Sequence, residues 1–320
     1  MLRLRADPWM PEYGMGFDVR IEEPPEDVDP FVETEDWSAP RGPGRVERVP
    51  LWFVDGVRRT ELRLIADSET RRVRGLLGSF GVGAVRCGDA ATFGDHEVGR
   101  ALVLGSGERG ERLEVRCGAG TLVFEPHSTP GTEPDDPLVA LQHLMREAEG
   151  NLAARLADDS DAVVLVDGPL SPPLRRGTTR CPVVGVVKRF GRDYLEPEQN
   201  QLLPRLRAGE RSPLFAFSAR EVRRYAWYAR VADLRGPWHD HAGLVRCEAR
   251  GTLDLAEAEE LADRVTSYLP AFAGRPQDPR TPQNLLPVAG LETWLRHRLA
   301  DAALVRRALL AYLAERAEAA

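Results

Sequence analysis

One helical stretch followed by two unbroken apolar runs constrains the fold of this chain more than any other feature. After Pro137, apolar residues recur at helical spacing as far as Leu156. The runs Ala162–Val166 and Pro182–Val187 follow, and neither contains a polar side chain. Strands of this kind are typically buried on both faces, as in parallel sheets that helices cover. The sequence therefore predicts a helix packed on a sheet whose inner strands are parallel.

Shorter strands precede this unit, and further helices follow it. Runs bounded by Gly and Pro predict strands at 51–54, 61–66, 100–104, 113–117, 121–125 and 243–249. The first two flank a turn-like Asp55-Gly56 and are predicted to form a hairpin. Helical spacing returns at 255–268 and, as one amphipathic helix, at 291–319. This order predicts an α/β fold: a mixed sheet with an antiparallel meander and parallel strands, flanked by helices, with additional C-terminal helices.

Composition and charge narrow the class of protein. The chain has 320 residues, of which 42% are hydrophobic and 29% charged, so a sizeable core is expected. Its formal net charge of −7 excludes a strongly basic nucleic-acid binder, although local fields can still attract phosphates. Residues 1–45 are rich in Pro and carboxylates and are predicted to be an acidic arm preceding a domain over 46–320.

The cellular setting is predicted from cysteines and hydropathy. Four cysteines are scattered without a C-x-x-C pair, which favours reduced thiols in the cytoplasm. There is no run of about 18 apolar residues and no apolar leader, so we expect no membrane span and no secretory signal.

Two apolar runs each lead into Asp-Gly, at Asp55 and at Asp167. If their strands are parallel neighbours, both carboxylates reach one edge of the sheet, where α/β proteins place ligands. Two fixed anions repel each other, and a divalent cation such as Mg²⁺ or Mn²⁺ offsets that repulsion. Asp-Gly is also a common turn pair, and either motif alone is better explained in that way.

Three further charged residues accompany this pair. Glu149 flanks the apolar face of the intervening helix and is the third candidate ligand, with Glu147 as the alternative on the more exposed side. Lys188 ends the second apolar run and can hold a phosphate or stabilise a leaving oxygen. Each of the three is also an ordinary solvated residue when considered alone.

A G-x-G-x-x-G pattern at Gly105–Gly110 does not indicate a dinucleotide site. The fingerprint needs a following helix, whereas Leu113–Cys117 alternates as a strand does, so a hairpin loop is predicted. The chain also lacks G-x-x-x-x-G-K-[ST], so any ATPase activity must belong to a partner.

The order of these motifs resembles the NurA nuclease family. The resemblance rests on Asp55, Val166–Leu170, the strand ending at Lys188, Arg246–Glu248 and Pro282–Pro287, and it spans most of the chain from about residue 50. It implies that residues 46–320 form an RNase H-like nuclease domain with a helical C-terminal extension. It also implies that Asp55, Glu149 and Asp167 bind metal and that a fourth acidic residue or His lies near the C-terminus. Val288–Gly290 stand at that place here, and either Asn284 or Glu292 could substitute.

The resemblance further implies an activity and partners. Members of the family are Mn²⁺-dependent dimeric DNA nucleases that act with the HerA hexameric ATPase in resecting DNA ends during double-strand break repair. The implied enzyme is thus a metal-dependent exonuclease and endonuclease that hydrolyses phosphodiesters with two Mn²⁺ ions, with Mg²⁺ as the alternative. It would act on DNA as a homodimer near the nucleoid. A non-catalytic adaptor that only docks on the translocase is the second hypothesis. An aspartyl phosphatase is disfavoured because neither Asp-Gly motif has the form Asp-x-Asp.

Overall fold

The structure is a computed structural model. It describes residues 3–6, 24–42, 49–67, 72–118, 120–159, 161–171, 174, 178–189, 192–234, 239–275 and 283–318. Most of the N-terminal arm before residue 24, and Pro282 of the C-terminal motif, therefore lie outside the described residues.

Strands and helices alternate along the described chain. The strands are β1 Arg3–Ala6, β2 Asp27–Asp29, β3 Leu51–Asp67, β4 Arg72–Cys87, β5 Ala91–Leu104, β6 Leu113–Cys117, β7 Gly120–Ser128, β8 Val163–Asp167, β9 Val183–Val187, β10 Phe215–Ala219, β11 Val222–Arg230 and β12 Leu244–Arg250. The helices are α1 Asp136–Asp159, α2 Pro197–Asn200, α3 Leu255–Tyr268, α4 Leu286–Arg298 and α5 Ala302–Glu318. Short 3₁₀ turns occupy Leu203–Arg205 and Leu269–Phe272.

The strands form one mixed sheet in the order β2-β10-β11-β12-β9-β8-β3-β4-β5-β7-β6, with β1 paired to β3. At its centre, β3, β4 and β5 form an antiparallel meander. The chain then crosses through α1 and returns as β8, which is parallel to β3, and β9 is parallel to β8. This arrangement confirms the predicted α/β fold with its RNase H-like order of meander, helix and return strand.

Helices cover both faces of the central strands. On one face, Met145 and Leu152 of α1 pack against Val54 and Val166. On the other face, Leu291 and Leu295 of α4 pack in the same cluster as Phe53 and Leu165. Alternation of side chains along a strand produces this division, because residues 53 and 54 point to opposite faces. The two layers hold the strand ends rigidly between them.

Three local predictions were wrong. Asp55-Gly56 is not a turn, because β3 continues through both residues and pairs with β4 on either side of them. The C-terminal amphipathic segment is two helices, since Ala300 adopts a left-handed backbone conformation (φ 67°) and ends the first helical segment. The loop at Gly105–Gly110 is a loop as predicted but does not join a hairpin, because β6 pairs with β7 while β5 pairs with β7 in parallel.

The described part of the acidic segment packs against the sheet. Strand β2 pairs with β10 and forms the edge of the sheet. The Glu33 carboxylate accepts hydrogen bonds from Arg211, and Trp37 is 9% exposed. No helix in the described ranges combines the length and the apolar content that a membrane crossing requires.

Candidate metal centre

Strand register brings Asp55 and Asp167 together. Strands β3 and β8 run parallel with Leu51 opposite Val163 and Val54 opposite Val166. Asp55 and Asp167 are the next residue on each strand, so they occupy equivalent positions on adjacent strands. Both side chains project to the face that α4 covers. Asp55 is two residues after Phe53 and Asp167 two after Leu165, and residues two apart on a strand point to the same face. The predicted convergence of the two carboxylates is therefore a consequence of the register.

Helix α4 adds a third carboxylate. One oxygen from each of Asp55, Asp167 and Glu292 lies within 4.8 Å of the others. Asp55 is 6% exposed, whereas Asp167 and Glu292 are half-buried. Arg296, one turn further along α4, donates to Glu292 at 2.8 Å. We call Asp55, Asp167 and Glu292 the carboxylate triad.

Asp55 is an electrostatically unfavourable buried acid. Its Oδ2 atom is inaccessible to solvent and accepts no hydrogen bond from any residue that the structure describes. Burial raises the pKa of Asp55 well above its usual 3.8, and the charges of Asp167 and Glu149 raise it further, while Lys188 lowers it. A buried carboxylate without a partner is costly unless a cation compensates it. The triad therefore fits a divalent cation, which oxygen ligands of this kind prefer.

Glu149 approaches from the opposite side of β3, on helix α1. Its Oε1 atom has no hydrogen-bond partner in the described part of the chain and lies where a side chain on Gly56 would sit, 2.4 Å from an ideal Cβ. Its Oε2 atom accepts a 2.6 Å hydrogen bond from Arg146. Glu149 is not in the carboxylate triad, although its charge acts on Asp55. Glu147 is exposed, so Glu149 is the acidic residue that this helix turns toward the sheet.

The surroundings of Glu149 favour its protonated form. Burial raises the pKa of Glu149 to about 7, against the opposing effect of the Arg146 guanidinium and with a further increase from Asp167. Arg146 also donates to the backbone oxygens of Asp167 and Pro169. Its guanidinium thereby ties α1 to the end of β8, at a point where Gly168 takes a left-handed φ of 95°.

Lys188 supplies the positive charge on the other flank of the triad. Its Nζ atom donates to Asp167 at 2.9 Å and to Asn284 at 3.1 Å. Asn284 precedes α4 in the chain, so the lysine links the end of β9 to the segment that carries Glu292. Both residues left open for the fourth position thus lie at the site, Glu292 in the triad and Asn284 against Lys188.

Sequence reasoning missed Arg146, although it lies three residues before Glu149 on the same flank of a helix. That i, i+3 spacing between an arginine and a candidate acid was the available signal. The assignments of Asp55, Glu149 and Asp167 as ligands and of Lys188 as a catalytic residue stay predictions, now with a defined geometry.

The chain was compared with protein families, with curated proteins and with solved structures. No protein-family model and no curated protein matches the sequence. Among solved structures, the chain matches the crystal structure of the NurA nuclease from Sulfolobus solfataricus. This chain is similar in fold to that nuclease. The two are 13% identical, the match covers 81% of this chain and 84% of the other, and the TM-score is 0.44.

Proposed function

We propose that this protein is a metal-dependent deoxyribonuclease that hydrolyses phosphodiesters at the carboxylate triad. The observation that carries the proposal is the triad itself, since three carboxylates from β3, β8 and α4 lie within 4.8 Å of one another. The unpartnered Oδ2 atom of buried Asp55 is a second, independent indication that a cation belongs there.

The chain's own residues have distinct parts in this proposal. Asp55, Asp167 and Glu292 would hold the cation, and Glu149 remains the predicted further ligand on the α1 side. Bound Mn²⁺, or Mg²⁺ as the alternative, would supply a Lewis acid for the phosphate and would lower the pKa of a bound water, and two ions are expected. Charge balance also favours a cation, because the triad carboxylates lie together and the charge of Glu149 acts on Asp55 from the other side of β3.

Lys188 is proposed to act on the phosphate. Its ammonium group is held between Asp167 and Asn284, and the side chain is 15% exposed, so the lysine is fixed at the rim of the site. A point charge in that position can stabilise the negative charge of the scissile phosphate. Asn284 then acts as a positioning residue for the lysine.

The test compares Asp55→Asn with Asp67→Asn. Asp67 is the last residue of the same strand and forms ion pairs with Arg5 and Arg72, away from the triad. With end-labelled single- and double-stranded DNA and Mn²⁺, Asp55→Asn should lower cleavage at least a hundredfold, while Asp67→Asn should retain it. Cleavage by Asp55→Asn at the wild-type rate would refute the assignment. Absence of cleavage and of Mn²⁺ binding in the wild type would favour the adaptor hypothesis instead.

The biological setting is proposed from the resemblance of the motifs. The protein would resect DNA ends in double-strand break repair, as a homodimer working with a HerA-type hexameric ATPase in the cytoplasm near the nucleoid. Since the chain has no P-loop motif, the partner would supply the energy of translocation. Co-purification with the translocase and the mass of the free protein in solution test these two associations. A monomer that does not bind the translocase would contradict both.

A further inference from the structure

A stacked pair of aromatic rings, one exposed and one half-buried, lies on the face of the sheet that α4 covers. Phe93 of β5 and Trp294 of α4 are stacked, with ring centroids 4.8 Å apart and planes 8° from parallel. Phe93 is 44% exposed, so its surface away from Trp294 is open to solvent. The Trp294 ring is also contacted edge-on by His96, and the Arg298 guanidinium lies 4.6 Å from its centroid. Trp294 is therefore fixed, and Phe93 is the ring that presents a free surface.

A bulge in β5 places Phe93 and His96 on the same face of the sheet. The three residues Gly83–Val85 of β4 lie opposite the four residues Phe93–His96 of β5. An extra residue of this kind turns side chains that would otherwise alternate, and such bulges are common next to active sites. As a result both Phe93 and His96 reach Trp294 on the α4 face.

The same register fixes the separation between the pair and the triad. Asp55 lies opposite Gly83, and Gly83 lies opposite His96, so two strand spacings of about 4.8 Å separate Asp55 from His96. Phe93 lies opposite Val85, two residues further along β4, which adds about 7 Å in the perpendicular direction. The backbone of Phe93 is therefore roughly 12 Å from that of Asp55, on the other side of the contact between Gly83 and Leu295 of α4.

The charge around the rings suits a polyanion. The last turn of α4 carries Arg296, His297 and Arg298, and the side chains of all three are exposed. Arg298 is the one that lies over Trp294. Proteins that bind single-stranded nucleic acids combine an exposed aromatic ring with arginine. The ring stacks on a base of any sequence, and the guanidinium attracts the negative phosphates.

We propose that the Phe93–Trp294 pair is a stacking platform for a base of single-stranded DNA. The choice of DNA rests on the proposed nuclease function, whereas the stacking itself rests on the rings. Paired bases in a duplex are already stacked on their neighbours, so the platform selects an unpaired strand end. Phe93 binds the base, and Trp294 is the positioning residue that holds Phe93.

The test measures binding without cleavage. The full chain is titrated in EDTA against a fluorescein-labelled 12-nucleotide single strand, and anisotropy gives the dissociation constant. Phe93→Leu, which keeps an apolar side chain and removes the ring, should weaken binding between about 5-fold and 100-fold. Phe93→Tyr should bind within twofold of the wild type because it keeps the ring. Phe31→Leu is the matched control, since Phe31 is 49% exposed and follows β2 at the far edge of the sheet; its affinity should not change.

Two further arms isolate the base and the strand. A strand with abasic sites should bind the wild type and Phe93→Leu equally, and a blunt duplex should not distinguish them. Binding of the intact single strand by Phe93→Leu within twofold of the wild type would overturn the proposal, as would equal losses on duplex and abasic DNA.

The outcome for the platform is separable from that for the proposed function. If Asp55→Asn abolishes cleavage while Phe93→Leu binds normally, the nuclease stands and the platform is wrong. If binding depends on Phe93 but the wild type cleaves no DNA with any divalent cation, the platform stands and the proposed function is wrong.

Discussion

Replacing Glu149 with Gln should change how the stability of the metal-free protein depends on pH. Glu149 is 2% exposed, and burial raises its pKa to about 7 from the usual 4.5. Between these two pH values, the folded protein keeps a proton on Glu149 that the unfolded chain has released. The unfolded state then binds fewer protons, so the free energy of unfolding falls as the pH rises.

The size of the effect follows from that difference in pKa. The pKa of Glu149 differs by about 2.5 units between the unfolded and the folded state. At about 1.36 kcal/mol per unit, ionising Glu149 completely in the folded protein lowers the free energy of unfolding by roughly 3 kcal/mol. Integrated from pH 5 to pH 8, the wild type should lose about 2.5 kcal/mol through this one group. Glu149→Gln cannot ionise, so its stability relative to the wild type should increase by that amount over the same interval. Loss of the ion pair with Arg146 changes the free energy of unfolding of the variant by the same amount at every pH. It does not produce the dependence on pH.

Urea unfolding in EDTA at pH 5, 6, 7 and 8 measures the difference. Glu147→Gln is the matched control, because Glu147 is exposed on the same helix and its replacement should change stability by less than about 0.5 kcal/mol at every pH. Curves for wild type and Glu149→Gln that stay parallel from pH 5 to pH 8 would refute the reasoning. They would mean that Glu149 is solvated or fully compensated by Arg146 in the folded protein.

Two substitutions away from the ligands test the packing around the site. Gly56→Ala should destabilise the protein by about 1–3 kcal/mol, because its Cβ would lie 2.4 Å from Glu149 Oε1 and 2.9 Å from Met145 Cγ. Gly88→Ala is the control, because a Cβ on Gly88 would have no atom within 4 Å and should leave the melting temperature unchanged. Equal melting temperatures for the two variants in thermal denaturation would contradict this packing. Glu248→Ala should cost about 3–5 kcal/mol, since buried Glu248 accepts from both Arg224 and Arg246 in the sheet. Exposed Glu114→Ala is its control, and a loss below 1 kcal/mol for Glu248→Ala in chemical denaturation would show that the buried arginines do not depend on it.

Local pattern was enough to predict the central unit of the fold. Strands β8 and β9 are buried on both faces, so each is an unbroken apolar run. Helix α1 is buried along one stripe, so its apolar residues recur at helical spacing. The pairing of Asp55 with Asp167 was predictable for the same reason, since parallel neighbouring strands place equivalent residues side by side.

Strand β4 was not predicted, and the reason is physical. Glycines at positions 75, 78, 81 and 83 interrupt its apolar pattern. They are required by tertiary packing, because a Cβ on Gly78 would lie 2.4 Å from Leu141 of α1 and one on Gly83 would lie 3.0 Å from Leu295 of α4. The helices on both faces approach β4 so closely that only glycine fits at these positions. Because glycine has a low strand propensity, the sequence pattern did not predict the strand.

The same limit applies to the site. Asp55-Gly56 has the sequence of a turn, but Gly56 stands in a strand because Glu149 and Met145 occupy the space of a side chain. Glu292 could be named only as one of two alternatives. It lies 125 residues after Asp167, and its position in the site depends on how α4 packs across the sheet. Such contacts between distant parts of the chain are not encoded in any local spacing.

The most direct test of the account is a crystal soaked in Mn²⁺ and measured with anomalous scattering. We predict a peak bounded by the carboxylate oxygens of Asp55, Asp167 and Glu292, which Asp55→Asn weakens or removes. A crystal in which Mn²⁺ binds elsewhere while these three carboxylates remain without a cation would contradict it.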